Sequence, residues 1–402
     1  MANTNLNADI ITKESLRILE NECVFARNVD RQHDTSFAQE GGKIGASIRI
    51  RKPNRYTVRT GATLSAQDVT QTQTTLTVAT QIGVDVNFTS EELTMDIENF
   101  SKNILQPAIV TVANKLDLDG LAEYKNVYQQ VGTPGTTPAT AKVILDAGAK
   151  LDEAACPRDG QRCINVDPQA NASLIDALKG IFNPNLGISE QYKSGLFGMN
   201  VLGFKEISVD QNIARHTIGT KAGTPVMNGS TSSGATSLVT DGWTASSAIL
   251  KQGDVFTIAN VYSVNPQSRQ STGQLAQFVV TADVSADGSG NATIAISPTL
   301  YSSGVFQNVD SLPADNAAIT VAGTASTEYP INMTYHKDAF TLATVDLVMP
   351  KGVDMASRQA HNGISMRLVR SFDINNDKFP CRIDLLYGWH TQYPELACRL
   401  IG

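Results

Sequence analysis

Two runs of alternating apolar and polar residues dominate the first quarter of the chain. Ile44, Ala46, Ile48 and Ile50 alternate with Gly45, Ser47, Arg49 and Arg51. Further on, Leu76, Val78, Thr80, Ile82, Val84, Val86 and Phe88 alternate with mostly polar residues. A period of two places successive side chains on opposite faces, so both runs predict half-buried strands. The residues between them, 52–74, are polar and rich in Thr and Gln. The economical reading is one long β-hairpin with an elongated tip. A lone two-stranded hairpin is marginally stable in water. Its apolar face therefore needs another surface to lie on, and a second subunit is a candidate.

Elsewhere the period changes. Ile10, Leu16, Leu19 and Val24 predict a short amphipathic helix on a polar arm, and 27–42 read as a surface crossing. Thr89-Ser90-Glu91-Glu92 has the form of a capping box with Thr89 as the cap. Pro107 kinks the following helix or starts a second one, and Ile109, Val112, Ala113 and Leu116 form its apolar stripe. Asp117, Asp119 and Glu123 read as the solvated face of that helix. Residues 130–139 are a Gly/Pro/Thr linker. From 139 to 221 the pattern is α/β: a helix in ATAKVILDAGAKLDEA, a strand in CINV, an N-cap and first helical position at Asp167-Pro168, a helix in ASLIDALKGIF, then ISEQYKSGL and a strand in FKEISV. Residues 222–239 are small and polar and read as flexible. Short strands follow in VFTI, NVYSV, AQFVVTADV, ATIAI and AAITVAG, with turns at Asn265-Pro266 and Asp287-Gly288-Ser289-Gly290. This predicts a small all-β module inserted into the α/β domain. Strand patterns return in DAFTLATVDLVMP, ISMRLVRSFDI and RIDLLYGWH.

Composition narrows the function classes. The 402 residues carry a net charge of −7, which argues against a generally basic nucleic-acid binder. No apolar run approaches the roughly 18 residues of a membrane helix, and the N-terminus lacks the pattern of a secretory signal. Cys23, Cys156, Cys163, Cys381 and Cys398 are scattered and odd in number, as expected of reduced thiols. Gly41-Gly42-Lys43 and Gly219-Thr220-Lys221 lack phosphate-loop spacing and read as turn glycines. Cys156 and Cys163 have no His at zinc spacing. Asp283-x-Ser285-x-Asp287-Gly288 begins like a calcium loop, but Ile294 stands where a bidentate Glu is needed, so a hairpin turn is the better reading. The five His are dispersed and no nucleophile elbow occurs. The reading is therefore of a non-enzyme without catalytic, cofactor or metal residues.

One charge feature remains. Lys43, Arg49, Arg51, Lys52, Arg55 and Arg59 occupy one hairpin arm, and Glu91, Glu92, Asp96 and Glu98 follow at the helix start. The bland reading is a solvated strand face. The functional reading makes these ten residues intersubunit contacts, the basic arm being steered onto the acidic helix of a neighbouring copy. A β-ribbon on DNA phosphates is disfavoured by the acidic overall balance.

The order of elements resembles the major capsid proteins of tailed bacteriophages, the Hong Kong 97 fold. It is most similar to the Salmonella podovirus coat protein type, which carries an extra β-barrel. The matching pieces are NFTSEELTMDIENFSKNILQPAIVTVANKLDLDGL, ILKQGDVFTIANVYSV and CRIDLLYGWHTQYPELACRLIG. The resemblance implies an α+β fold with an N-terminal arm (1–39), an E-loop hairpin (40–88) and a peripheral domain with a spine helix (89–138). It implies an axial domain in two parts (139–221 and 333–373), an inserted β-barrel domain (222–332) and C-terminal strands of the peripheral domain (374–402). It also implies self-assembly as hexamers and pentamers into an icosahedral virion shell in the host bacterial cytoplasm. The implied partners are a scaffolding protein, a portal protein, decoration proteins and packaged DNA bound without sequence specificity. No membrane, cofactor or covalent cross-link enters. The rival readings are a phage or surface β-rich protein that binds carbohydrate or a protein partner, and an enzyme with a site in the α/β half.

Overall fold

The computed structural model describes residues 4–34, 47–59, 61–64, 66, 68, 72–89, 106–178 and 198–402. The chain divides into two units. The first comprises 1–51, 73–120 and 340–392; the second comprises 52–72, 121–339 and 393–402.

The first unit is built on one long strand, Lys378–Thr391. It pairs with Phe340–Val345, with Ile364–Arg370 and with Thr80–Thr89, all antiparallel. Met355–His361 extends the sheet beyond Ile364–Arg370, and Asp30–Asp34 lies parallel beside Phe340–Val345. Residues Asp30–Asp34 were read as a surface crossing because DRQHD has no apolar alternation; pairing with a strand whose six residues are all buried gives it its place.

Among the described residues, the two arms of the long hairpin pair at its base. Ser47–Arg51 pairs with Gln73–Thr77, whereas Thr80–Thr89 leaves it and pairs along Lys378–Tyr387. Alternation specifies which face a residue occupies and is silent on the partner strand. The phase runs unbroken from Leu76 to Val86, so two strands read as one. The base needs no second copy for its apolar face: Ile50, Leu76 and Val78 pack on Ala343, Val345 and Leu386.

Two helices belong to this unit. Thr4–Glu22 starts earlier than its apolar stripe suggests and buries Leu16 and Leu19. Gln106–Leu121 has Pro107 in its first turn, so the proline starts a helix rather than kinking one. Thr89 ends a strand, and the rest of the expected capping box, with 90–105, lies outside the described residues. Asp117 is not on a solvated face. It is 1% exposed and accepts the backbone N–H groups of Val24 (2.6 Å), Phe25 (3.2 Å) and Ala26 (2.9 Å), in the turn after the first helix. Asp119 accepts Lys115 Nζ at 2.6 Å and the Tyr387 hydroxyl at 2.5 Å. Gly120 lets two rings approach, since a Cβ there would stand 2.6 Å from Trp389 and 2.8 Å from Phe25.

In the second unit a six-stranded sheet runs in the order Gln130–Val131, Ala397–Leu400, Asn332–His336, Arg162–Val166, Phe204–Val209, Gly198–Val201. The helices Ala141–Glu153 and Pro168–Leu178 cover it, burying Ile144, Leu151, Ala170 and Leu174 against Ile164, Val166, Phe204 and Leu400. Asp167 caps the second of these, accepting the N–H of Gln169 at 3.1 Å. Residues 374–402, grouped together by resemblance, divide: Lys378–Thr391 stays in the first unit and Ala397–Leu400 enters this sheet. Residues 333–373 divide in the same way, only Asn332–His336 joining this sheet.

Arg215–Thr217 and Glu328–Pro330 pair antiparallel and form a two-stranded stalk. Between them the chain forms a closed barrel, ordered Gly223–Met227, Ala235–Trp243, Ala292–Leu300, Ser271–Val280, Val255–Val264, Ile319–Val321. A bridge between Val226 and Ala318 closes it, with Met227 N–H bonded to Ala317 O at 2.9 Å. Residues 222–239 are therefore not a linker. Their few large residues point inward: Met227 is 1% exposed and Leu238 0%. Small residues flank them, which disguises two strands as a flexible tract. Asp287 accepts the N–H groups of Ser289 and Asn291, each at 2.8 Å, as a hairpin turn requires. All five cysteines are free and buried.

Removing the Asp117 carboxylate leaves the buried N–H groups of Phe25 and Ala26 and the half-buried N–H of Val24 without their acceptor. Asp117→Ala is expected to lower the free energy of unfolding by about 3 kcal/mol, read from the denaturant midpoint. An unchanged midpoint would contradict the assigned role.

Candidate assembly surface

Five of the ten charged residues singled out above lie among the described residues. Lys43, Glu91, Glu92, Asp96 and Glu98 lie outside the described residues. Arg49 sits in the hairpin base opposite Thr75, and Arg51 opposite Gln73. The other three are engaged by their own chain. Lys52 lies with its ammonium 5.3 Å from the centre of the Tyr393 ring, and burial pushes its pKa down from the ordinary value. Arg55 donates to Glu395 at 2.9 Å. Arg59 donates to the carbonyls of Gly61 and, at 3.1 Å, of Thr63.

Beside these anchors stands a row that charge reading passed over. Tyr56 is 60% exposed, Val58 96% and Leu64 82%. Lys52 N–H bonds to Thr72 O at 2.8 Å, continuing the hairpin base, and burial places Lys52, Asn54 and Thr57 toward the protein while Tyr56 and Val58 face away. Three large apolar side chains this exposed are costly to leave in water, at roughly 25 cal/mol per Å² of apolar surface. A signal was present in the sequence: isolated Tyr56, Val58 and Leu64 interrupt an otherwise polar run. Their exposure could not be read there, because solitary apolar residues in a polar run are as often tucked under a loop. A second apolar tip lies in the first unit, at the turn before Lys378–Thr391, where Phe372 is 45% and Ile374 81% exposed.

Comparison with protein-family models matches the whole chain, residues 1–402, to the family described as P22 coat protein, gene protein 5. The chain belongs to the P22 coat protein family. It is a major capsid protein of a tailed bacteriophage, a component of the virion capsid, from a structural rather than an enzymatic family. Curated proteins gave no match. Among solved structures, one from Mycobacterium phage Che8 is similar at 12% identity and a TM-score of 0.45, over 94% of this chain and 90% of that one. The mature capsid of bacteriophage PhiM1 is similar at 13% identity and a TM-score of 0.41, over 94% and 86%. The CUS-3 coat protein I-domain is similar at 26% identity and a TM-score of 0.19, over 26% of this chain and 97% of that one. No described helix is long and apolar enough to cross a membrane.

In this coat protein the barrel is joined to the α/β sheet by a buried polar knot. Asp254, fully buried, accepts His216 Nε2–H at 2.8 Å and the N–H groups of Lys251 (2.8 Å) and Gly219 (3.1 Å). The other ring nitrogen of His216 lies 3.1 Å from the Tyr124 hydroxyl. Arg399, 1% exposed, donates to Gly253 O at 2.6 Å and stacks over the Tyr124 ring at 5.3 Å. Burial pushes the Arg399 guanidinium down to about 10. A second tie uses reciprocal amides: Gln277 accepts from Gln130 N at 2.8 Å and donates to Gln130 O at 2.9 Å. Gln277 thus acts as a strand partner for the sheet edge. These residues escaped sequence reading because dispersed His, Asp and Arg have no spacing that announces a meeting in space.

Asp254→Ala removes one acceptor from three donors, leaving His216 Nε2 and the N–H groups of Lys251 and Gly219 without it. A loss of about 3–5 kcal/mol is expected in chemical unfolding, whereas Val58→Asp, on the exposed row, changes it by about 0.5 kcal/mol or less. Equal effects of the two would contradict the assignment.

Proposed function

We propose that this coat protein self-assembles as hexamers and pentamers into an icosahedral shell that encloses packaged double-stranded DNA, and that residues 52–72 carry it across to the next copy. The observation that supports this reading most is the exposed row Tyr56, Val58 and Leu64, on a chain whose whole length matches a coat protein family. A soluble monomer rarely leaves such a patch open. A subunit that buries it against a neighbour gains the same contact at every symmetry-related site, so modest contacts sum to a stable shell.

The finer reading is the Hong Kong 97 arrangement. Residues 1–39 serve as the N-terminal arm and 40–88 as the E-loop. The helix within 89–138 is the spine of the peripheral domain, residues 139–221 with 333–373 hold the axial domain, and 222–332 are the inserted barrel. Lys43, Arg49, Arg51, Glu91, Glu92, Asp96 and Glu98 remain intersubunit contact candidates. Lys52, Arg55 and Arg59 contribute as the loop's own anchors instead. A separate scaffolding protein, a portal protein, decoration proteins and DNA held without sequence specificity complete the partner set, with assembly in the host cytoplasm. The net charge of −7 limits adhesion of the inner surface to DNA. The chain performs no catalysis and takes no cofactor.

Electron microscopy of the full chain, alone and co-expressed with candidate scaffolds, tests the reading. Closed uniform shells are expected from the native protein. The double variant Val58→Asp, Leu64→Asp is expected to stay folded by circular dichroism and to remain as unassembled subunits. Normal shells from that variant would remove the loop from the interface.

A further inference from the structure

The loop that bears the apolar row is held at its base by its own chain, and the holding residues are far apart in sequence. Arg55 pairs with Glu395, Lys52 covers Tyr393, and Arg269 donates to the backbone carbonyl of Tyr56 at 3.0 Å. The acceptor side is rigid. Glu395 lies in the single helical turn Pro394–Leu396. Its carbonyl accepts Gln129 Nε2–H at 3.1 Å, Leu396 N–H bonds to Tyr393 O at 3.0 Å, and Tyr393 N–H bonds to Ala339 O at 3.2 Å. The next residue begins the strand Ala397–Leu400 of the central sheet. Arg269 is equally placed, in the turn between two barrel strands, where Asn265 Nδ2–H bonds to Glu153 O at 2.9 Å and fixes that turn to the helix Ala141–Glu153.

We propose that Glu395 and Arg269 are positioning residues for assembly: they fix the direction of residues 52–59, so that Tyr56 and Val58 are presented to a second copy of this chain already aimed. This rests on the reading of 52–72 as the segment that crosses to the next copy. The physical reason is preorganisation. A free loop would lose its conformational freedom at the moment of docking, whereas an anchored one has lost it in the monomer. The anchors are weak singly, since the Arg55 and Glu395 side chains keep 39% and 23% of their exposure. Three of them on one eight-residue stretch restrict the same dihedrals. Their partners, Glu395 and Arg269, sit outside the proposed interface, so changing them leaves the docking side chains intact.

The experiment compares the native chain, Glu395→Gln, Arg269→Gln and the exchange Arg55→Glu with Glu395→Arg. Three readouts apply: thermal unfolding of the monomer, limited trypsin cleavage after Arg59, a site that every variant keeps, and the threshold concentration for shell formation. Both Gln variants are expected to unfold at the native temperature and to be cleaved faster in the loop. Each is expected to raise the threshold about two- to fivefold, the range set by loss of an exposed ion pair in Glu395→Gln and of one hydrogen bond in Arg269→Gln. The exchange variant restores protection and threshold, which simple loss of a favourable residue does not predict. Unchanged cleavage and threshold in both Gln variants, while Val58→Asp with Leu64→Asp still blocks assembly, overturns the positioning role and leaves the interface standing. Normal assembly of that double variant overturns the interface itself.

Discussion

The buried guanidinium of Arg399 is the constraint on which the second unit depends. A cation with 1% exposure is tolerable only where its surroundings are fixed, because moving it costs desolvation without a compensating partner. Here the carbonyl of Gly253 and the face of Tyr124 hold it, and Tyr124 in turn meets His216, which meets Asp254. Strand, helix end, stalk and barrel turn therefore take their positions together. A barrel joined to its sheet by a two-stranded stalk would otherwise swing on the stalk. With the knot and the Gln130–Gln277 amides in place, the barrel turn carrying Arg269 becomes a fixed point. The loop 52–59 borrows that rigidity through the carbonyl of Tyr56.

The second unit thus combines an internally braced barrel and sheet with exposed apolar side chains. Asp117 and Asp254 each gather three donors at short range, and exposed apolar residues include Tyr56, Val58 and Leu64 on the loop and Phe372 and Ile374 at a turn. That division suits a coat protein. Shell geometry requires subunits that deform little, and shell formation requires contacts each weak enough to be corrected and numerous enough to hold. The charge pattern in the basic arm serves the first requirement more than the second. Lys52 and Arg55 face their own C-terminal turn, and the exposed row beside them faces outward.

Much of this was legible in the sequence, and the rest was hidden for identifiable reasons. Periodicity located the helices Gln106–Leu121, Ala141–Glu153 and Pro168–Leu178 and the returning strands, since burial of one face leaves a direct imprint on residue order. Pairing left none. The alternation from Leu76 to Val86 carried no mark of the partner change between Thr77 and Thr80. Asp30–Asp34 and 222–239 were hidden because polar and small residues form strands when a neighbouring strand supplies the burial. Asp117 was misread because its position on a helix does not reveal that the turn after the first helix packs against it. The order of elements carried the family resemblance, which the whole-chain match to the P22 coat protein family establishes.

The central claim is that residues 52–64 change from solvent contact to contact with another copy when the subunit enters a shell. Hydrogen–deuterium exchange of dissociated subunits and of intact shells, resolved to peptides, measures this directly. The account predicts strong slowing across 52–64 on assembly, with the barrel core around Phe256 and Phe278 unchanged because it is already buried in the monomer. Equal exchange of 52–64 in both states would contradict it.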